Sequence, residues 1–206
     1  MKDYNQLAGK EAVNRTMAAF SEKGIGTHFV VSGQEAFELI LELIPQGSSV
    51  MNGSSVTLRQ IGYIDYLKSG QHKWRNLHEE ILAEKDPEKQ AELRKSSALS
   101  DFYLGSVHAL TEDGIMLFAS NSGSQLPHIV YTSPNLIFIA STKKICTDLE
   151  GAFKRLYDHV IPLENERAMA EYGVGTNPNK ILIFQGESPM IGRHVHLILV
   201  DDDLGY

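Results

Sequence analysis

Cysteine is almost absent, with Cys146 the one thiol in 206 residues. A lone thiol cannot close an internal disulfide, and it falls short of the roughly four ligands that an iron–sulfur cluster takes. No metal or cofactor of its own is therefore expected. Long apolar runs are missing as well. The longer ones, such as residues 136–140 and 197–200, are far below the ~20 residues that span a bilayer. Met1-Lys2-Asp3-Tyr4-Asn5-Gln6 lacks the apolar core of a secretory signal. The expectation is a cytoplasmic protein with no membrane contact. Positive charge is also scarce: 19 Lys and Arg against 26 Asp and Glu leave a net −7. Nucleic-acid binding rests on a basic surface that neutralises phosphates, so nucleic acid is not an expected partner. With no internal repeat, low-complexity tract or linker, one domain over residues 1–206 is expected.

What is present suits a globular α/β protein. Hydrophobic residues make up 42% and charged residues 22%, near the average for folded domains and enough for a sizeable core. Val13, Met17 and Phe20 recur at helical spacing, which predicts a helix over residues 9–21. A β-branched and aromatic strand follows at 27–31. Ser32 and Glu35 then form a capping box ahead of a helix that Pro45 and Gly47 close, so the portion up to about residue 47 is largely helical. A strand at Ser49–Asn52 runs through the turn Gly53-Ser54-Ser55 into a helical pattern with Leu58 and Ile61. This alternation predicts a mainly parallel sheet covered by helices.

Residues 78–97 form a charge-rich helical segment, with Asp86-Pro87 as cap and first helical position. Beyond residue 100, two β-like runs, 102–110 and 115–119, flank Thr111-Glu112-Asp113-Gly114, the signal of an inserted β-hairpin. A Gly/Ser loop follows at 120–125. Residues 135–140 read as a buried central strand. A helical stripe from Leu149 to Val160 is ended by Ile161-Pro162, and two more strands fit at 180–184 and 194–200.

Two loops carry candidate chemistry. In Gly53, Ser54, Ser55 and Thr57, a small-residue turn enters a helix, where free N–H groups and hydroxyls can hold an anion. An ordinary capped turn is the alternative. The second is Gly123, Ser124 and Gln125, with Lys143 and Lys144 beyond the carboxyl end of a strand, where α/β sheets bind ligands. A lysine there pairs with phosphate or carboxylate, or is simply solvated. Among the carboxylates near the hairpin, Asp101 is the acid–base candidate and Lys143 its cationic partner. His194 and His196 share one strand face but have no third metal ligand nearby, so they read as structural. His72-Lys73-Trp74-Arg75 fits a partner surface, a lid or simple packing.

The residues from Gly53 to Gly62 resemble the S-x-T-L-x-x-I-G element of the LUD-domain family, whose namesake is lactate-utilisation protein C. Ala109-Leu110-Thr111-Glu112-Asp113-Gly114 is similar to its A-x-T-x-x-G hairpin, and Pro162-Leu163-Glu164 with Arg167-Ala168 to its P-L-E-x-x-R-A stretch. Where other members carry Gly-Asn-Arg, this chain has Gly123-Ser124-Gln125, without the arginine that pairs bidentately with an anion. The resemblance implies a fold of the NagB/RpiA/CoA-transferase-like kind, in which Gly53–Ser55, Asp101 and Gly123–Ser124 with Lys143 converge on a small anionic ligand. It further implies a role in using lactate or a related acid, as an accessory or ligand-binding subunit beside an iron–sulfur oxidoreductase. The alternative is a stand-alone transferase or isomerase acting on a small phosphorylated or CoA-linked acid. A homodimer is compatible with the sequence, dimers being the commonest oligomers.

Overall fold

The computed structural model describes residues 3–206. The chain opens with α1 (Lys10–Glu22), β1 (Gly26–Val30), α2 (Gly33–Leu43) and β2 (Ser49–Asn52). It continues with α3 (Val56–Gln60), α4 (Tyr63–Ser69), β3 (Arg75–Asn76), α5 (Leu77–Ala83) and α6 (Pro87–Ser96). Then come β4 (Phe102–Gly105), β5 (Ala109–Thr111), β6 (Met116–Ser120), β7 (Asn135–Ser141) and β8 (Ile145–Cys146). The last elements are α7 (Leu149–Arg155), α8 (Ile161–Tyr172), β9 (Lys180–Phe184) and β10 (His194–Val200).

Six strands form one sheet in the order β1-β10-β7-β4-β2-β3, every pair parallel. Strand β7 is its most deeply enclosed member, with Leu136 to Ala140 shut off from solvent. Because side chains alternate across a strand, β7 feeds two cores. Leu136, Phe138 and Ala140 pack with Val13 and Phe20 of α1 and with Leu110, Met116 and Phe118. Ile137 and Ile139 pack with Ala36 and Ile40 of α2, Leu58 of α3 and Tyr63 of α4. Among the described residues, no helix is long and apolar enough to cross a membrane.

The expected α/β architecture is present, with two local corrections. The run 102–110 is two strands rather than one arm of a hairpin. Strand β4 ends at Gly105 in the parallel sheet, and Ser106–His108 carry the chain to a second sheet, β8-β5-β6-β9. The inserted hairpin is β5–β6, antiparallel as its Thr-Glu-Asp-Gly turn requires. The segment 78–97 is helical as expected, and α6 starts at the expected cap, Asp86 accepting from Glu88 and Lys89 N–H (2.9 and 3.0 Å). The stripe from Leu149 does not end at Pro162. It widens into a π turn over Leu156–Val160 and continues as α8. Pro162 has no N–H to give to the ladder, and the wider turn before it makes room for its ring.

Finally, in the His72–Arg75 stretch the His72 and Trp74 rings pack inward while Lys73 and Arg75 are exposed. Trp74 Nε1–H donates to Ile44 O (3.2 Å), and the His72 ring lies 3.1 Å from both Leu67 O and Trp74 O. His196 Nδ1 lies 3.1 Å from His28 Nε2, while His194 is exposed. Among the described residues, no three potential ligands gather as a metal site.

Since Phe138 is fully enclosed and in ring contact with Phe118 (5.0 Å between centroids), Phe138→Ala should lower unfolding free energy by about 3–5 kcal/mol. Urea titration followed by circular dichroism measures it. A loss of a few tenths would show that this strand is not the centre of the core.

Candidate functional site

Parallel strands end on the same edge of a sheet, and the carboxyl ends of β2 and β4 open into a cavity of about 440 Å³. Its walls include Gly53, Ser54, Ser55 and Thr57 beyond β2, Ser106 and His108 beyond β4, and Ser124 and Gln125 beyond β6. The two Gly/Ser loops singled out in the sequence therefore meet. Ser55 caps α3 by accepting from Leu58 N–H (3.2 Å). Gly53 is required by close approach, since a Cβ there would lie 2.7 Å from Tyr103 Oη and 3.2 Å from Gln125 Oε1. Gly123 stands just outside the lining, braced by a hydrogen bond from its N–H to Ser120 Oγ (2.9 Å).

The lysine that reaches the cavity is Lys144, not Lys143. After β7, a 3-10 turn at Thr142–Lys144 sends the two side chains in different directions. Lys143 Nζ binds the Asp203 carboxylate and Gly205 O (2.7 Å) and borders a separate depression near Tyr4. Lys144 Nζ donates to Ser106 Oγ (2.9 Å), Val107 O (3.1 Å) and Thr57 Oγ1 (3.4 Å). All three are neutral oxygens, and among the described residues no carboxylate lies within 4.0 Å of it. Burial, reinforced by Arg155 and Lys143, pulls the ammonium down to about 7. Gly205 closes over it at φ +64, and a Cβ there would come 2.9 Å from Nζ.

Asp101 is also displaced from its expected role. It precedes β4, so it sits at the amino edge of the sheet, opposite the cavity. Its Oδ2 accepts from Ser49 N–H (2.8 Å) and Ser49 Oγ (2.7 Å), stitching β4 to β2. Its place in the strand order rules out the convergence with Lys143 that the sequence suggested.

Three further groups line the cavity. His108 Nδ1 accepts from Ala119 N–H (3.2 Å), which leaves the ring proton on Nε2. Burial, with Lys144 and Arg155 nearby, lowers this imidazole to about 4, so it is neutral at physiological pH. Across from it, Arg167 holds Glu164 with two hydrogen bonds (2.8 and 2.6 Å), and Tyr206 Oη donates to the same carboxylate (2.7 Å). Burial works to raise the Glu164 carboxyl, but those bonds outweigh it and keep it ionised. Glu164 is thus charge-matched, and Lys144 is the cation without a counterion in this space.

A profile of the LUD domain matches residues 13–200. The chain belongs to the LUD-domain family. A structure that shares this fold is a DUF162 family protein from Deinococcus radiodurans, 10% identical, with 95% of this chain and 99% of that chain covered at a TM-score of 0.57. At that identity the likeness concerns the LUD-domain fold alone. Ribose 5-phosphate isomerase A from Neisseria gonorrhoeae aligns over 76% of both chains at 15% identity, with a TM-score of 0.34 too low to weigh. No curated protein matches.

Asp101→Ala should then lower stability by about 0.5–1.5 kcal/mol, since the Ser49 N–H exchanges its carboxylate acceptor for water. It should leave affinity for any ligand of the cavity unchanged. Thermal melts and ligand titrations on the variant separate the two, and a lost affinity would return Asp101 to the site.

Proposed function

We propose that the cavity holds a small organic anion, and that this LUD-domain protein serves the use of lactate or a related 2-hydroxy acid. Lys144 carries the reading. An ammonium removed from water without a counterion is costly, and three neutral oxygens offset only part of that cost. A carboxylate entering the cavity supplies the missing charge, with the Ser54, Ser55, Thr57 and Ser106 hydroxyls and His108 Nε2–H as further donors.

Oxidising a 2-hydroxy acid also needs an electron acceptor. The single cysteine, Cys146, is buried and cannot ligate an iron–sulfur cluster by itself. We therefore assign this chain the part of an accessory or ligand-binding subunit, with the redox centre on a partner.

A second reading is a stand-alone enzyme on a phosphorylated or CoA-linked acid. It is favoured by the same amine, which is partly neutral near pH 7 and so able to act as base or nucleophile. Turnover of such acids that survives Lys144→Met would eliminate it.

Calorimetric titration with L-lactate tests the first reading. Lys144→Met should weaken binding at least tenfold, about 1.4 kcal/mol, with circular dichroism unchanged. The pH dependence has a definite sign. The free amine titrates near 7, and a bound carboxylate raises it, so binding takes up a proton above pH 7. Affinity should be flat below that value and fall about tenfold per pH unit above it, until the amine of the complex also titrates. Equal affinity at pH 6 and pH 9 would refute the role given to Lys144.

A further inference from the structure

The cavity is large for lactate, which has only a methyl group beyond its hydroxyl and carboxylate. Its volume of about 440 Å³ lies in the roughly 300–1,000 Å³ range of sites that enclose drug-sized ligands. It also has a neighbour. A second chamber of about 190 Å³ adjoins it, and Gly53, Ser54, Ser124 and Gln125 line both.

The two chambers differ in chemistry. The first is walled by hydroxyls, His108, Lys144 and the Glu164–Arg167 pair. The second presents Met51, Ile81, Leu82 and the Tyr103 ring, with Arg94 at its exposed side. Two buried polar atoms on residues lining this second chamber, Asn52 Oδ1 and His78 Nδ1, have no hydrogen-bond partner among the described residues. Asn52 itself is only 5% exposed. Buried polar atoms are normally satisfied, and a small rotation of either side chain toward a guest in the chamber would complete it.

Gln125 stands at the junction. Its Oε1 accepts from Tyr103 Oη (3.3 Å) and its Nε2 donates to Ala119 O (3.1 Å), which fixes it against Gly53 on the inner side of the junction. An arginine here would put a second cation at the head of the site. The glutamine leaves Lys144 as the single anion anchor and keeps the passage neutral.

We infer that the ligand is an elongated organic acid, its anionic head in the first chamber and an apolar stem with a hydrogen-bonding tip in the second. This rests on the anion-site reading above and narrows it to a class of acid. The stem passes the exposed rim at Ser54 and Ser124, which line both chambers, while Gly53 and Gln125 lie close together on the inner side of the junction. Met51, Ile81 and Tyr103 cover the stem, and the tip reaches the Asn52 and His78 side chains.

The test compares L-lactate with 2,6-dihydroxyhexanoate by calorimetric titration. The longer acid should bind on the order of tenfold or more tighter, since each buried methylene contributes about 0.8 kcal/mol. Leu82 is exposed at the chamber wall, so Leu82→Trp can fill that space without disturbing the core. In this variant the longer acid should fall back to the affinity of lactate measured on the same protein. Equal affinities in the parent, or an advantage that survives Leu82→Trp, would overturn the two-chamber assignment. Failure of both acids to bind the parent would instead bring down the anion-site reading, and this one with it.

Discussion

Parallel pairing is the constraint on which the site depends. Strands β2, β4 and β7 lie side by side in one direction, with Asn52 beside Leu104 and Gly105 beside Phe138. Their carboxyl ends therefore reach one edge, and whatever follows each strand is delivered to the same rim. After β2 come Gly53–Ser55, after β4 come Ser106–His108, and after β7 comes the turn with Lys144. Segments almost ninety residues apart meet only because the buried β7 holds the order β10-β7-β4-β2 in place. The same rule sends Asp101 to the far edge, because it enters β4 instead of leaving it.

Much of the fold was legible, for local reasons. The strands at Ser49–Asn52, 180–184 and 194–200 match their apolar runs, and the α2 start matches Ser32, whose Oγ accepts from Glu35 N–H (3.2 Å). Where the reading failed, a non-local partner decided. Residues 102–110 are β-prone apart from Gly105-Ser106, where β4 ends, and a glycine inside a strand pattern marks a bulge as readily as a change of sheet. That break is fixed by β4 pairing with β7 and β5 pairing with β6 and β8. Pro162 ordinarily ends a helix, but a π turn absorbs it, a geometry with no sequence signature of its own.

The site was legible as loops and not as side chains. Glycine, serine and turn chemistry marked Gly53–Ser55 and Ser124–Gln125, because backbone exposure needs small residues. Choosing between Lys143 and Lys144 needs the handedness of a single 3-10 turn, which adjacent lysines do not reveal. Glu164 and Arg167 lay in plain sight at i and i+3 on one helix face. Their spacing alone is that of any surface ion pair, and only the packing of α8 against the cavity gives it a role.

The buried cations sort by what they touch, which separates structure from function. Arg193 donates to Ser133 O, Val130 O, His128 O and Ile129 O and lies 3.1 Å from Glu187, so its charge is spent on holding one loop. Lys143 is closed by Asp203 and Gly205 O. Arg155 has carbonyl partners in His108 and Tyr4 and lies over the Tyr4 ring, away from the cavity. Its positive field still reaches Lys144 and helps depress it. Lys144 combines burial, a place in the wall of the large cavity and neutral partners, whereas Arg155, also held by neutral carbonyls, borders the separate depression near Tyr4. A fold seeking stability alone would gain by placing an apolar side chain there. Retaining an ammonium makes physical sense where an anion completes it.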